Sequence, residues 1–425
     1  MINFIKLLES EDLGYAKAAI IVNKIESAYK SVEVERALDD LFSKKNRMIL
    51  KNAKNISFLE TLACCYCWLR LHRGSIYRKL GDTWRVEVSK LQKVINVLVL
   101  VKRICGAVKI IPFFEFFCYC CLSNYNKAFK CIEGCDFPEN AYKAGFFLGV
   151  KTAIPQEDFL YGLHTKETCM SEYFSESSLS NQLKSIRNRI VREDNEYEVI
   201  FLVSCTVNYY MNFALDFVKS LNESAENPLV IFVLIDREEE IKSVGEDLRV
   251  SESRGDFSLV LLESDVFDLP SLSATLRFLI APYIIEEFNS SVVVCDIDST
   301  FTHDNYNRLR EKTECFQSTD IGLPLNVYGR SRIPWSSVPA ALCYFPDSVN
   351  SLFYLGCVQQ YFNATYRGKE KNWWIDQNAL YGAIVAYREV FKTNIIINLI
   401  DEKKLVSDNY KDQVISFKQN NRKSH

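Results

Sequence analysis

The second half of the chain alternates short, continuous apolar runs with segments of helical spacing. Four such runs occur, at 199–203, 229–235, 259–262 and 292–295. Helical spacing fills the intervals, for example at 209–221 and at 271–288, where Pro282 predicts a kink or a break. Strands that are buried on both faces read as continuous apolar runs, and the β-α-β alternation indicates a parallel sheet. The sequence therefore predicts an α/β fold for this half.

Residues 1–192 follow a different pattern, with few glycines and prolines and with apolar residues at intervals of three and four. That spacing predicts helices. We therefore expect an all-α N-terminal domain over 1–192, followed by an α/β domain over 193–425. A helical-repeat array is an alternative for the first domain, although its apolar residues show no fixed period. The polar stretch 165–195 predicts a linker or an exposed helix.

Composition excludes several classes of protein. The 425 residues are 48% hydrophobic and 25% charged, which suits folded domains with a sizeable core. The net charge of -3 argues against a general nucleic-acid surface. Residues 1–11 lack the apolar core of a signal peptide, and charges interrupt the most apolar stretch, 94–122, short of the ~18 residues of a spanning helix. We expect a cytoplasmic protein with no transmembrane segment. Peripheral contact with a membrane is an alternative that the sequence allows.

The 15 cysteines are concentrated in the N-terminal half, where two C-x-x-C spacings occur, Cys64 to Cys67 and Cys118 to Cys121. That spacing can hold zinc, but both runs lie in apolar stretches, unlike the polar, glycine-containing turns of zinc knuckles. We interpret them as buried core thiols, with a metal site as the alternative. So many thiols without a signal peptide indicate a reducing compartment.

Polar residues follow the predicted strands at the edge where parallel sheets bind ligands. They include Ser204, Thr206 and Asp236, and the stretch 296–299 after the fourth strand. Asp296 and Asp298 stand at i and i+2, so both carboxylates point the same way if the chain stays extended. Such a pair suits Mg²⁺ or Mn²⁺ together with a diphosphate. From the spacing alone, an ordinary pair of strand-end acids in a turn or a helix cap is about as well supported as a metal site.

Residues 296–300, Asp-Ile-Asp-Ser-Thr, match the D-x-D-x-T motif of haloacid-dehalogenase-type phosphatases letter for letter. In that family the first Asp is the nucleophile and the second the acid. There, however, the motif opens the core domain and a second acidic pair follows it. Here three strand-helix units precede the motif, and neither Asp-Asp nor G-D-x-x-x-D follows. This phosphatase is the less favoured alternative.

Four segments follow one another in the second half of the chain. Residues 272–285 contain Arg277 and Pro282 in a predicted helix, and 292–298 form an apolar strand followed by D-x-D. Further on lie residues 346–362 and residues 373–381, the latter with a D-Q-x-x-L spacing. In this order the segments resemble the family 8 glycosyltransferases, which have the GT-A fold, and 346–362 resembles the helix after that family's central hairpin. The resemblance covers about 198–423 and implies a GT-A, Rossmann-like nucleotide-diphospho-sugar transferase domain.

The resemblance implies a role for each matching residue. Asp298 would ligate the metal directly, and Asp296 would contact both the metal and the donor ribose. Arg277 would reach the donor's sugar or phosphate, and a surface or salt-bridged arginine is the alternative. The nucleotide pocket would be lined by Ser204, Thr206 and Asp236. Each of them could equally be an ordinary polar residue at the end of a strand.

Asp376 and Gln377 would face the donor sugar and the acceptor. By resemblance, the reaction is expected to retain stereochemistry, so Gln377 would stabilise positive charge at the far face of the sugar. Asp376 would bind sugar hydroxyls. Trp373 and Trp374 would offer a stacking face for an acceptor sugar, or form a buried pair.

One departure from the family concerns its third metal ligand, a histidine in H-x-x-G-x-x-K near the C-terminus. Residues 414–423 occupy the matching place, where Ser416 stands at the histidine and Arg422 at the lysine. The basic residues Lys418 and Arg422 suit a diphosphate. The missing histidine leaves the metal's identity and the stereochemistry open, and His303 and His425 are weak substitutes.

These features predict a glycosyltransferase, specifically a hexosyltransferase, that moves a hexose-type sugar from a UDP-sugar to an acceptor hydroxyl. The cofactor would be Mn²⁺ or Mg²⁺, and the acceptor a glycan, a lipid or a protein. The helical half would bind the acceptor or a partner protein. The alternative from another class is a non-catalytic module on the same fold that binds a nucleotide-sugar or a partner.

Overall fold

The computed structural model describes residues 31–71, 76–80, 83–106, 111–122, 124–133, 135, 153, 170–192, 199–225, 228–243, 257–314, 321–324, 338–366, 372, 374–391 and 397–399. Contacts divide the chain into two compact units, with a boundary between Val150 and Lys151. Within the described residues, no helix combines the length and the apolar character that crossing a bilayer requires.

The first unit is mainly helical. Its helices are α1 (Ser31–Leu41), α2 (Arg47–Lys51), α3 (Ile56–Leu71), α4 (Val88–Cys105), α5 (Ile111–Cys121) and α6 (Tyr125–Ile132). Between α3 and α4, strands β1 (Tyr77–Leu80) and β2 (Thr83–Val86) pair as an antiparallel hairpin. The helices agree with the prediction, but the hairpin means that the unit is not all-α. Four-residue strands such as Tyr-Arg-Lys-Leu are too short and too polar to show a period of two.

A buried arginine joins α1 to α3. Arg70 is 5% exposed, and its guanidinium contacts the carboxylates of Asp39 and Glu35, the latter at 2.6 Å. The hydroxyl of Tyr66 donates to Asp39 at 2.9 Å. Because a buried cation needs compensating charge and hydrogen bonds, this contact fixes the pairing of the two helices.

The cysteine runs lie inside helices. Cys67 belongs to α3 and Cys118 and Cys120 to α5, and all three are buried. Burial raises the pKa of each of these thiols well above its ordinary value. The interpretation of these cysteines as core thiols is therefore confirmed, and their thiolate forms are suppressed.

The second unit is built on a seven-stranded sheet. Its strands are β3 (Ile200–Cys205), β4 (Leu229–Asp236), β5 (Phe257–Glu263), β6 (Val292–Cys295), β7 (Ile321–Leu323), β8 (Leu342–Phe345) and β9 (Ile397–Leu399). Its helices are α7 (Glu176–Arg192), α8 (Val207–Asn222), α9 (Leu269–Phe288), α10 (His303–Glu314), α11 (Val349–Thr365) and α12 (Ile375–Phe391). This arrangement confirms the predicted α/β fold class.

The strand order is β5-β4-β3-β6-β8-β7-β9. The first four strands in this order are mutually parallel, β8 runs antiparallel to its neighbours β6 and β7, and β9 is parallel to β7. The connections run outward from β3 to β5 and then return to β6 on the other side of β3. The order therefore reverses between β3 and β6. Open α/β sheets bind ligands beyond the carboxyl ends of the strands at such a switch point.

Both faces of the sheet are buried, which explains the continuous apolar runs. Along β4, Ile231 and Val233 pack with α9, α11 and α12, whereas Phe232 and Leu234 pack with α8 and α10. The same alternation continues along β3 and β6. Along β3 and β4, helices on both faces leave no solvent-exposed side, so the polar residues of these strands, Ser204 and Asp236, appear at their carboxyl ends.

Helix α9 is the central helix on its face of the sheet and is apolar on all sides, as a buried helix should be. It begins with Pro270 in its first turn, and the left-handed Asn289 (φ 48°) follows its end. Pro282 lies inside it, yet the helix continues through this residue. Gln359 of α11 donates to the carbonyl of Leu279 at 2.8 Å, in the turn before the proline. Packing on both sides thus overrides the break that the proline favours.

Helix α7 covers the edge strand β5. The side-chain amide of Gln182 accepts from the backbone N–H of Leu261 and donates to its carbonyl, both at 2.9 Å. This pair imitates a neighbouring strand and shields the edge from pairing with another chain. The polar stretch that we assigned to the N-terminal domain up to residue 192 therefore contributes a helix to the second unit.

The contact between α11 and α12 predicts opposite effects for two helical glycines. A Cβ at Gly382 would lie 2.5 Å from the ring of the buried Tyr361, whereas a Cβ at Gly356 would meet nothing within 4 Å. We expect Gly382→Ala to destabilise the fold by about 1–3 kcal/mol through overpacking. Gly356→Ala should stabilise it by about 0.5–1 kcal/mol, because alanine favours the helix. Denaturant unfolding of both variants measures this, and a stabilised Gly382→Ala would contradict the packing described.

Candidate functional site

The acidic pair lies on a turn directly after β6. The backbone N–H of Asp296 donates to Ala341 at 3.0 Å, and the N–H of Ser299 donates to the carbonyl of Asp296 at 3.1 Å. The chain therefore turns at 296–299 instead of staying extended, because this bond closes the turn. Ile297 points into the core, while Asp296 and Asp298 are half-buried. The turn places both carboxylates beside the switch point between β3 and β6.

Arg277 of α9 lies beneath Asp296. Its side chain is 3% exposed and forms an ion pair with that carboxylate. It also donates to the carbonyls of Cys295 at 3.3 Å and Ala340 at 3.0 Å. Burial disfavours its charge, but Asp296 and Asp376 outweigh burial and raise the pKa of Arg277. We predicted that Arg277 reaches the donor; in the structure its two Nη atoms contact protein groups and hold Asp296 in place, while its buried Nε has no hydrogen-bond partner among the described residues.

Asp376 approaches the same guanidinium from the first turn of α12. Its Oδ2 lies 3.8 Å from Nη2 of Arg277, and its Oδ1 accepts from the backbone N–H of Gln377 at 2.8 Å. Burial raises the pKa of Asp376 to about 6, although Arg277 and the backbone N–H act in the opposite direction. Gln377 itself is half-buried. The structure thus brings Arg277, Asp296 and Asp376 together, from three separate segments.

Ser204 connects β3 to α9 beside this cluster. Its hydroxyl donates to the carbonyl of Ser273 and accepts from the backbone N–H of Arg277 at 3.0 Å. The parallel register pairs Leu202 with Val294, so two residues further on Ser204 comes level with Asp296. The hydroxyl that we expected to line the nucleotide pocket is therefore buried against α9, where it fixes the position of the Arg277 backbone relative to β3.

Asp236 ends β4 and binds the N-terminus of α8. Its carboxylate accepts from the backbone N–H groups of Val207 at 3.1 Å and Arg237 at 3.0 Å. Thr206 is the N-cap residue of α8, is half-buried, and its carbonyl accepts from Tyr210 at 3.1 Å. An acid at a helix N-terminus is favoured by the helix dipole. These two residues border the carboxyl edge of the sheet at β3 and β4.

Other predicted residues lie away from this cluster or outside the described part of the chain. His303 is exposed at the start of α10. Among the described residues, no group of three or more His, Cys, Asp or Glu side chains could hold a metal. The expectations for Lys418, Arg422, Ser416, His425 and the side chain of Trp373 fall outside the described residues.

Sequence reasoning missed the main-chain acceptors and one buried acid. The carbonyls of Ser273, Cys295 and Ala340 complete the surroundings of Ser204 and Arg277, and main-chain atoms carry no sequence signal. Asp268, buried immediately before α9, was also missed. Its position before the Arg277 helix was the one signal that could have found it.

Comparisons with known proteins give distant structural likenesses. No family model matches the chain, and no curated protein matches it. The apo-form glycosyltransferase GlyE of Streptococcus pneumoniae TIGR4 is 13% identical with a TM-score of 0.32, and the match covers 53% of this chain and 50% of that one. Mouse xyloside xylosyltransferase 1, also in its apo form, is 10% identical with a TM-score of 0.30, over 48% of this chain and 85% of that one. The chain thus spans half the length of the first.

The Arg277 cluster predicts a large loss of stability when its cation is removed. Arg277→Met would leave two carboxylates near a buried apolar side chain, so we expect a cost of about 3–5 kcal/mol in unfolding free energy. Arg310→Met removes an arginine that is 45% exposed and 3.3 Å from Glu314, and should cost less than about 1 kcal/mol. Urea unfolding of both variants provides the comparison. Equal small losses would show that the buried ion pairs do not support the fold.

The raised pKa of Asp376 predicts a specific dependence of stability on pH. With its folded pKa at about 6, Asp376 keeps its proton over a window, roughly pH 4–6, in which the unfolded chain has lost it. Its contribution to stability is therefore present below this window and is lost as the pH rises through it. Relative to wild type, Asp376→Asn should gain on the order of 1–3 kcal/mol between pH 4 and pH 7.

Unfolding by urea at a series of pH values measures this difference. The control is Glu238→Gln, because a hydrogen bond from Lys242 lowers the pKa of Glu238, which is the opposite direction. The unfolding free energy of Glu238→Gln relative to wild type should therefore rise as the pH falls, whereas that of Asp376→Asn should rise as the pH increases. A difference between Asp376→Asn and wild type that stays constant from pH 4 to pH 7 would refute the raised pKa.

Proposed function

We propose that this chain is a glycosyltransferase that moves a hexose-type sugar from a UDP-sugar to the hydroxyl of a glycan, lipid or protein acceptor, with retention of stereochemistry. The observation that carries the proposal is the meeting of Arg277, Asp296 and Asp376 at the switch point of the sheet. Ligands of open α/β sheets bind at this place. The resemblance of the same segments to family 8 supports the choice of reaction.

The residues present fit a divalent cation. Asp296 and Asp298 offer carboxylate oxygens on one turn, and both are half-buried, so they can be reached from the carboxyl edge. Mg²⁺ is commonly held by one or two carboxylates together with substrate phosphates and water. A third protein ligand is therefore not required, and Ser416 at the family's histidine position agrees with such a site. We infer that Asp298 ligates Mn²⁺ or Mg²⁺ and that Asp296 shares its carboxylate between that metal and Arg277.

The bound metal would neutralise the charge that grows on the departing diphosphate. Arg277 holds one oxygen of Asp296 inside the protein, which directs the rest of that carboxylate outward. Asp236 fixes the N-terminus of α8, where Thr206 and the first N–H groups would border the nucleotide. Lys418 and Arg422 would bind the diphosphate by charge.

The sugar is assigned to the first turn of α12. Asp376 is held by Arg277 and by the N–H of Gln377, so its orientation is set before any donor arrives. Its carboxylate would bind the sugar hydroxyls, and the amide of Gln377 would stabilise positive charge on the sugar. Trp374, half-buried one residue before α12, would give the acceptor a stacking face.

Release of UDP from a panel of UDP-sugars with Mn²⁺ or Mg²⁺ tests the proposal. We expect turnover of one donor, and a fall of about 10²- to 10³-fold in Asp298→Ala, because loss of the metal removes several kcal/mol of stabilisation. Asp304→Ala, at an exposed acid six residues further on, is the control and should match wild type.

Other outcomes of the same experiment separate the alternatives. Binding of a UDP-sugar by calorimetry without release of UDP would indicate a non-catalytic module. Hydrolysis of an aryl phosphate with Mg²⁺ would indicate a phosphatase. Neither binding nor turnover with any UDP-sugar would refute the assignment of the donor.

A further inference from the structure

A buried carboxylate connects the two segments that supply Arg277 and Asp376. Asp268 is 6% exposed and stands immediately before α9, the helix of Arg277. Its Oδ2 accepts two hydrogen bonds from Asn372, from the backbone N–H at 2.5 Å and from the side-chain amide at 3.2 Å. Asn372, 3% exposed, lies four residues before Asp376. We call this pair of hydrogen bonds the Asp268 clamp.

The clamp fixes Asp268 through both its carboxylate and its backbone. Among the described residues, the hydrogen bonds to the carboxylate come from the N–H groups of Asn372. The carbonyl of Asp268 accepts from the hydroxyl of Tyr366 and the N–H of Leu272, both at 3.1 Å, which fixes its backbone as well. A buried polar group that is hydrogen-bonded at several atoms is held rigidly, so Asp268 can fix the position of Asn372.

The clamp holds a strained residue next to the site. Trp374 has φ 72°, in the left-handed region, which is unusual for a bulky side chain. Such a conformation persists only where neighbouring contacts impose it. On one side lies Asn372, held by Asp268, and on the other the carbonyl of Trp374 accepts from Asn378 at 3.0 Å in the first turn of α12. Asp376 follows two residues after the strained one.

We propose that Asp268 is a positioning residue for the transferase reaction, acting through Asn372 and the left-handed Trp374 to set the direction of the first turn of α12. It thereby places Asp376 against Arg277 and toward the sugar. This inference rests on the proposed function for its catalytic readout, but the geometry that it claims is independent of activity. We assign the nucleotide moiety of the donor to the ends of β3, β4 and β6, so its binding should not depend on the Asp268 clamp.

Three variants test the inference. Asp268→Ala removes both hydrogen bonds, Asp268→Asn keeps one oxygen that can accept both, and Asp265→Ala changes an exposed acid in the same loop. UDP release is normalised to the number of UDP-binding sites found by calorimetry. We expect Asp268→Ala to lower kcat about 10- to 100-fold, since a shift of about 1 Å has effects of this size. Its Kd for UDP should stay within about twofold, and both other variants should resemble wild type.

A second readout does not depend on turnover. The five tryptophans are labelled with 5-fluorotryptophan, and the ¹⁹F resonance of Trp374 is the one lost in Trp374→Phe. Asp268→Ala should shift this resonance, while Asp268→Asn and Asp265→Ala should leave it in place. Should wild type turn over no donor, the proposed function fails by itself, and the resonance alone then decides on the clamp.

Several results would overturn the inference. One is a kcat per binding site in Asp268→Ala equal to that of wild type. Another is a parallel loss of UDP affinity and turnover, which would indicate a general structural role. A third is a Trp374 resonance that does not respond to Asp268→Ala.

Discussion

The burial of one positive charge organises the carboxyl edge of the sheet. Arg277 projects from the apolar helix α9 into a region that is closed to water, where an uncompensated guanidinium would be very unfavourable. Its compensation comes from Asp296 after β6, from the carbonyl of Ala340 before β8 and from Asp376 on α12. These segments are far apart in sequence. The need to surround a single cation therefore sets the relative placement of the acids that could perform chemistry.

The parts of the fold that could be predicted are those in which burial leaves a local pattern. Strands β3 to β6 are buried on both faces, so each reads as an unbroken apolar run, and the predicted bounds agree with the observed ones to within two residues. The hairpin of β1 and β2 and the pairings of β7 and β9 were not predicted. These strands have only three or four residues, and the pairing of β7 with β9 joins segments far apart along the chain. Likewise, α7 belongs to the second unit because Gln182 contacts Leu261, and no local sequence pattern predicts this contact.

At the site, residue type and position were predictable, whereas direction was not. Ser204, Asp236 and Asp296 could be identified because each lies at or after the end of a predicted strand, and the carboxyl ends of parallel strands lie at one edge of a sheet. The sequence does not show that Ser204 turns toward α9 or that Asp236 binds the N-terminus of α8. Side-chain direction follows from the local turn and from neighbours on other segments. The position of Asp268 before α9 could have singled it out, but its pairing with Asn372, 104 positions away, had no sequence signal for the same reason.

The two acids that contact Arg277 stand in different surroundings, and this difference has a consequence. The side chain of Asp296 is 34% exposed, whereas that of Asp376 is 14% exposed and lies 3.8 Å from Arg277. Burial is the main cause that raises the pKa of Asp376 to about 6; the charge of Asp296 acts in the same direction, while Arg277 and the N–H of Gln377 oppose it. Under the proposed function, a divalent cation at Asp296 would offset the charge of that carboxylate and favour the ionised form of Asp376, while burial would still oppose it. Metal binding and ionisation of Asp376 would then be coupled through Arg277, since the carboxylates of Asp296 and Asp376 contact the same guanidinium.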